Sequence, residues 1–522
     1  MNIVVIGSGV NGLVAGARLA ARKMSVTIVE QHAMTGGAAV TTEFAPGFHG
    51  PTLSHSLGPI ARDVIRALKL DRAGVEFITP DPSLTAVGAD GHAVVFHRDA
   101  VLTAASINAV SASDAGRWRE FLKTSQRIAR VAAEMHRRAP PPLDGATARD
   151  WWRFLSVGRK VRALGRRDLV RATRWVPMAV ADLAGEWFES DLVQAAISAH
   201  AIFGNPAGPW SAGTGGMFLQ HLAADPSPVG SGVRARGGPG ALSDALVKIA
   251  QSAGAVVRTS ARVTTVVTEN GRVTGVVLDG GEEVPARAVV AAIDPKRVLL
   301  DLVAPTDLPP TFRERARNIR ARGVTAKINF ALHALPVFTA FEHDPVPLRG
   351  RVLVAPDVDY LERAFDHTKY GEMSAEPWLE LSVPTVLDPS LAPDGRHVVS
   401  VCAHFAPRHL RGATWDASRD VLARSVLRVL ERHAPGFASL VVASEVLTPE
   451  DLERRWGLTG GHIFHGESSL DQSWIARPIL GWARYRTPVA GLYLASAGVH
   501  PGGGLTGLPG LLAAEAVASD LA

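Results

Sequence analysis

The first thirty residues leave few folds open to this chain. Ile3 to Ile6 is an all-apolar run of the kind buried inside a parallel sheet. Gly7-Ser8-Gly9-Val10-Asn11-Gly12 follows, then an alanine-rich helical pattern from Leu13 to Arg22, and then an apolar strand, Ser25 to Val29, ending on Glu30. Strand, glycine turn, helix, strand and acid in that order predict a dinucleotide-binding βαβ unit. Gly7 permits the tight turn, and Gly9 lets backbone N–H groups approach a pyrophosphate. Gly12 lets the helix lie close to the strand, with its positive end toward the phosphates. Glu30 is placed to accept from ribose hydroxyls. The candidate nucleotide contacts here are Gly7, Ser8, Gly9, Asn11, Gly12, Glu30 and Gln31.

The middle of the chain returns to the same grammar. Arg236-Gly237-Gly238-Pro239-Gly240 leads into a helical pattern, Ala241 to Ala250, and Gly254 precedes a strand, Ala255 to Arg258. Val263 to Thr268, Asn270-Gly271 and Val273 to Leu278 form a hairpin signal, and Ala288 to Ile293 is a further buried strand. Near the C-terminus, a strand in Gly491 to Gly498 runs into His500-Pro501-Gly502-Gly503-Gly504-Leu505-Thr506-Gly507 and an alanine-rich helix. That is a glycine cradle with a helix N-terminus aimed at something anionic or electron-rich. No second glycine fingerprint with a ribose acid follows, so a dedicated NAD(P)H domain is not expected.

Composition narrows the class. With 522 residues, 47% of them hydrophobic, the chain can bury two or more substantial cores. A net charge of +5 and the lack of a basic patch interleaved with aromatics argue against nucleic acid as a partner. No run of about eighteen apolar residues predicts a membrane span, and Met1 to Ile6 reads as a strand rather than a leader. A cytoplasmic protein is expected, with the inner face of the membrane as the alternative location. Cys402 is the only cysteine, which rules out an internal disulfide and any redox dithiol.

Gly36-Gly37-Ala38-Ala39, just beyond Glu30, resembles the second glycine pair of the FAD families related to amine oxidases and phytoene desaturases. Gly460 to Glu467, Leu470-Asp471-Gln472, Ala476-Arg477-Pro478, Tyr485-Arg486-Thr487-Pro488 and Ala326 to Leu332 are similar to the phytoene-dehydrogenase-related subgroup. The resemblance runs nearly end to end and is weakest between Pro80 and Asp225. It implies an α/β protein: a Rossmann-like FAD-binding domain with an inserted α+β substrate domain. The FAD domain would comprise residues 1–75, 230–300 and 480–522, and the substrate domain residues 76–229 and 301–479. It implies FAD as cofactor, with Gly37 and Ala38 at the diphosphate, where Ala38 replaces the usual arginine. Val263 would meet the adenine through its backbone, and Gly498, Gly504 and Leu505 would approach the flavin.

The resemblance further implies hydride transfer at a carbon skeleton lying against the flavin. Lys327 is the first catalytic candidate: it sits in an otherwise apolar strand, and a lysine on the corresponding strand of amine oxidases reaches the flavin through a water. A structural ion pair is the other reading of a buried lysine. His500, beside the cradle, and His465 are the other catalytic candidates. His462 and His465 are read on one strand-like segment facing opposite sides, with Glu467 sharing the face of His465, and they lack the third ligand of a metal site. Phe203, Met217 and their neighbours either line a cavity or pack helices. Trp151 to Arg174 reads as one basic amphipathic helix, with Arg159, Lys160, Arg162, Arg166, Arg167, Arg171 and Arg174 around an apolar stripe of Val157, Val161 and Leu164, which suits either a solvated face or peripheral membrane contact. The expected function is an FAD-dependent dehydrogenase or desaturase of a hydrophobic substrate, with oxygen, a quinone or a protein as electron acceptor. A redox-neutral polyene isomerase and a flavin-stabilised scaffold remain as alternatives. Amine oxidation fits less well, because the cradle carries no aromatic.

Overall fold

A computed structural model describes residues 2–143, 148–342 and 344–522. The N-terminal pattern folds as strand Asn2–Ile6, helix Val10–Ala20 and strand Ser25–Val29. Among the described residues these strands belong to a five-stranded parallel sheet. Its order is Leu492–Leu494, Ala288–Ala291, Asn2–Ile6, Ser25–Val29, Val256–Arg258. One sheet thus gathers the beginning, middle and end of the chain. Its strands are apolar on both faces because both are covered. The covering elements are the packed helices Val10–Ala20, Gly240–Ser252 and Leu508–Leu521 and a three-stranded antiparallel sheet whose Val266, Val273 and Val276 join the core. The C-terminal helix, Leu508–Leu521, lies against Val10–Ala20, where a Cβ on Gly510 would sit 2.1 Å from the Asn11 carbonyl oxygen. The antiparallel hairpin Val263–Glu269 and Arg272–Leu278 turns at Asn270-Gly271, both with positive φ, as its twist requires. The apolar core under this lobe continues past the sheet to Phe312, Ala316 and Ile319.

The second sheet has seven strands in mixed orientation. Its order is Val441–Leu447, Thr325–Leu332, His397–His404, Leu379–Ser382, Arg351–Val354, Leu84–Val87, Ala93–Phe96. Alternation along these strands separates two faces. Ala326, Ile328, Phe330, Val399 and Val401 face helix Trp415–His433, whose Leu422, Val426 and Leu430 close that core. The other face carries Lys327, Asn329, Ser400, Cys402, Glu380 and Arg351, all buried. Each apolar side chain buried in their place would contribute about 1.5–3 kcal/mol. The polar face is therefore explained by what it borders, not by packing. A helical layer with a core of Trp118, Phe121, Trp175, Phe188 and Phe218 covers the far end of the sheet.

Two expectations change. The basic segment is not one amphipathic helix but two, Ala148–Ala163 and Gly165–Trp175, broken where Gly165 takes a φ of +75°. The side chain of Trp151 lies outside the described residues. The segment His462 to Glu467 is a series of turns rather than a strand. Gly460, Gly461, His465 and Gly466 all have positive φ, and a Cβ on Gly460 would meet Ala321 O at 2.0 Å, so the chain coils tightly here instead of extending.

Candidate active site

The glycine fingerprint does two jobs that the structure separates. A Cβ on Gly12 would stand 2.0 Å from Gly7 O, so glycine here is required by helix–strand contact. At Gly9 a Cβ would meet only the Gly37 Cα, at 3.9 Å; protein packing does not demand glycine there, and the space beside it is left for a ligand. The two glycine turns touch backbone to backbone. Gly36 N donates to Ser8 O at 3.1 Å, and a Cβ on Gly37 would lie 2.9 Å from the Gly9 Cα. Glu30 is buried beside them: its Oε2 accepts from Ser8 N at 2.9 Å and from Ser8 Oγ at 2.8 Å, and its Oε1 from His32 N at 3.0 Å. Ser8 therefore holds the acid. Asn11 accepts from Gly510 N at 3.3 Å, tying the first helix to the last, and Gln31 accepts from Arg297 at 3.4 Å.

These loops border a cavity of about 1360 Å³. Gly7, Gly9, Asn11, Glu30, Gln31, Gly37, Ala38 and Val263 line one part of it; Pro501 to Thr506, including Gly504 and Leu505, line another; Lys327, Cys402, Glu380 and Arg351 belong to the same wall. At Gly503 and Gly504 a Cβ would find nothing nearer than 3.7 Å. Open glycine cradles, an acid for ribose and a helix N-terminus fit an elongated dinucleotide cofactor reaching toward the polar face of the large sheet.

Lys327 is 2% exposed, and its Nζ donates to Ser400 Oγ on the neighbouring strand. Burial lowers its ammonium from 10.5 to about 8, although Cys402, Glu445 and Glu380 work the other way. Cys402 lies opposite Lys327 in register, and Glu380 opposite Cys402, so the three form one row across the sheet. Glu380 accepts from Arg351 Nη1 at 2.7 Å and pairs with His55 Nε2 at 3.0 Å. Burial alone would raise that carboxyl, but Arg351 and His55 hold it well below the usual range. Burial drives the His55 imidazole down to about 4 and the Cys402 thiol up to about 11, so both are neutral near pH 7.

The other candidates are placed as follows. His465 lines the cavity with a buried Nδ1 lacking a partner among the described residues, and burial lowers the ring to about 4. His500 is fully buried with Nε2 bonded to Arg138 O at 3.0 Å; its neighbour Pro501, not His500, lines the cavity. Gly498 is not in the wall either: a Cβ there would strike Pro295 at 2.4 Å and His465 O at 2.8 Å. His462 accepts from Phe464 N, and Glu467 is committed to Arg320 and Arg322. The cradle carries no aromatic of its own, yet the Phe464 ring comes within 3.7 Å of a Cβ on Gly503 and stands 6.5 Å from Phe203.

Sequence reasoning missed His55, Arg351, Glu380 and Arg234. The one available signal was polar residues in short apolar strands: Glu380 and Ser382 alternate with leucines in Leu379–Ser382, and Arg351 opens the otherwise apolar Arg351–Val354. It also missed Asp294, which lines the cavity at the end of its strand; burial raises it to about 6 despite bonds from Lys296 and Arg297.

Residues 11–518 match the family described as flavin containing amine oxidoreductase. The pyridine nucleotide-disulfide oxidoreductase domain-containing protein 2 of Rattus norvegicus is 35% identical, over 99% of this chain and 93% of its own. A lycopene-forming phytoene desaturase from Pantoea ananas is 27% identical over 98% of this chain and 97% of its own. The solved structure of wild-type putrescine oxidase bound to putrescine superposes with a TM-score of 0.61 at 15% identity, covering 100% of this chain and 99% of that one. Fold and cavity agree with these matches: the chain is an FAD-dependent oxidoreductase and belongs to the flavin-containing amine oxidoreductase family.

Proposed function

We propose that the chain is a dehydrogenase of the desaturase type, acting on a molecule with a largely apolar carbon skeleton. The observation that carries this is the single cavity whose wall holds the nucleotide loops, the glycine cradle and the buried Lys327. FAD, when bound, supplies a two-electron acceptor for a hydride leaving carbon. Gly9, Gly37 and Glu30 would hold its diphosphate and ribose, Val263 its adenine, and Gly504 and Leu505 its ring end. Lys327 holds a proton at Nζ that can be released near neutral pH, because burial has lowered it to about 8. Leu57, Val131, Phe203, Leu222, Ile463 and Phe464 give the cavity apolar wall enough to receive a hydrocarbon body and exclude water.

The polar end of that wall sets Arg351 and Lys327 beside the buried carboxylates Glu380 and Asp225. The acceptor that reoxidises the protein would be oxygen, a quinone or a partner protein. We assign residues 1–75, 230–300 and 480–522 to the cofactor lobe, and the shared core supports carrying its middle segment on to Ile319.

No helix among the described residues is long and apolar enough to cross a membrane. Peripheral contact at the cavity mouth is the reading we favour. Lys160 and Leu164 line the cavity, Trp152 and Leu155 on the same helix are 74% and 60% exposed, and Arg159, Arg162, Arg166 and Arg167 are exposed beside them. Sedimentation with phosphatidylserine vesicles that disappears at high salt supports it; equal binding to neutral vesicles, or none, refutes it.

The reaction type is tested by mass spectrometry of a lipid extract after aerobic turnover. A product lighter by two hydrogens supports dehydrogenation. A product of unchanged mass with altered double-bond geometry would replace it with isomerisation, and no change in any fraction would favour a scaffold.

A further inference from the structure

The wall of the cavity around Arg351 holds buried cationic side chains with nitrogen donors that the described residues leave without acceptors. Arg351 is 5% exposed; its Nη1 bonds Glu380 and its Nη2 bonds the carbonyls of Val229 and Gly230, but Nε has no partner among the described residues. Arg234, equally buried behind it, spends only Nη2, on Gly350 O at 2.9 Å; its Nε and Nη1 are likewise without partners. His200, which lines the cavity next to Gly230, has an unpartnered buried Nε2. Against Arg351, Arg234 and Lys327 the region sets two buried carboxylates, Glu380 and Asp225, the latter held by Ser227 and Ser231, and the half-buried Glu445 beyond Asn329. What is unmatched is the nitrogen donors rather than the charge. Buried guanidinium nitrogens without acceptors cost stability in a folded protein unless something else supplies the acceptor.

We propose that the Arg351 end of the cavity is a subsite for the carboxylate or phosphate head of the substrate, making that substrate an amphiphile rather than a pure hydrocarbon. This rests on the dehydrogenase reading only for what happens at the other end. Arg351 lies three strands from Lys327 and two residues beyond its row, about 16 Å by strand spacing and rise, so the head would anchor the chain with its reacting carbon that far away. The free Nε of Arg351 can donate a single charge-assisted hydrogen bond to an oxygen of either oxyanion. The exposed basic rim of the same cavity, Arg62, Arg66, Arg127, Arg130 and Lys160, would draw such a molecule in.

The test uses the FAD-loaded protein and three probes of equal chain length below their micelle concentrations: dodecanoate, dodecyl phosphate and dodecanol. Calorimetric titration should show one of the two anions binding at least about tenfold tighter than the alcohol, and which anion wins identifies the head group. Lys248→Gln, on the exposed face of a helix away from the cavity, should keep that preference. Arg351→Met should abolish it, and Arg234→Met, which breaks only one hydrogen bond, should reduce it even if the former fails to fold. Equal binding of all three probes overturns the proposal, as does a preference that Arg234→Met leaves intact. Flavin absorbance during anaerobic addition of lipid fractions to the same protein reports the redox reading separately: head-group preference with no reduction by any fraction would leave the subsite standing and remove the dehydrogenase.

Discussion

The Lys327→Met substitution removes a buried ammonium while keeping most of the side-chain volume. The fall of that group from 10.5 to about 8, caused first by burial, amounts to about 3 kcal/mol at 1.36 kcal/mol per pH unit. Below about pH 8 the lysine is protonated in both folded and unfolded states, and the folded state carries the whole of this penalty. Between about pH 8 and 10.5 the unfolded chain binds the extra proton, so wild-type stability rises with pH until the penalty is gone. The substitution also loses the hydrogen bond to Ser400, worth about 1 kcal/mol. Lys327→Met should therefore be about 2 kcal/mol more stable than the wild type at pH 7 and about 1 kcal/mol less stable near pH 10.5. Urea unfolding followed by tryptophan fluorescence at the two pH values measures this, and substrate-driven flavin reduction by the same variant should be slower. A variant that is less stable by the same amount at both pH values would refute the reasoning, since it would mean that Lys327 is fully compensated and that its burial is ordinary packing.

Glu30→Gln should weaken FAD binding by about ten- to a hundredfold, because it replaces a charged acceptor by a neutral amide, and titrating the apoprotein with FAD measures it. Gly12→Ala sets a methyl 2.0 Å from Gly7 O; the forced separation of helix and strand should lower the melting temperature by a cost of about 1–3 kcal/mol and reduce flavin content together. Glu380→Gln removes the acid partner of buried Arg351 and should destabilise by about 3–5 kcal/mol at neutral pH in urea unfolding. The carboxyl is held far below its ordinary 4.5, so the wild type has this stabilisation above that pH and loses it on acidification, while the variant lacks that acid-side slope.

The nucleotide lobe was legible because its constraints are local. Gly7, Gly12 and Glu30 act within one βαβ unit, and the fingerprint states the chemistry that requires them. The polar face of the large sheet was not. His55, Arg234, Arg351 and Glu380 come from four separate segments that only the strand order brings together, so no window of sequence contains the site. Lys327 stood out because one charged residue interrupts an apolar strand. The segment around His465 was misread as extended because its histidines and phenylalanine have strand-like spacing, whereas Gly460, Gly461 and Gly466 with positive φ decide its path. Gly165 carried the break in the basic segment in plain view, as a residue that weakens a helix wherever it sits inside one.

The central claim is that a substrate lying along this cavity reduces the bound flavin. It is tested most directly by recording the visible absorbance of the FAD-loaded protein under anaerobic conditions while fractions of a lipid extract are added. The account predicts that the oxidised-flavin band disappears with at least one fraction and returns when an acceptor is admitted. A protein that binds FAD but keeps that band with every fraction would contradict it.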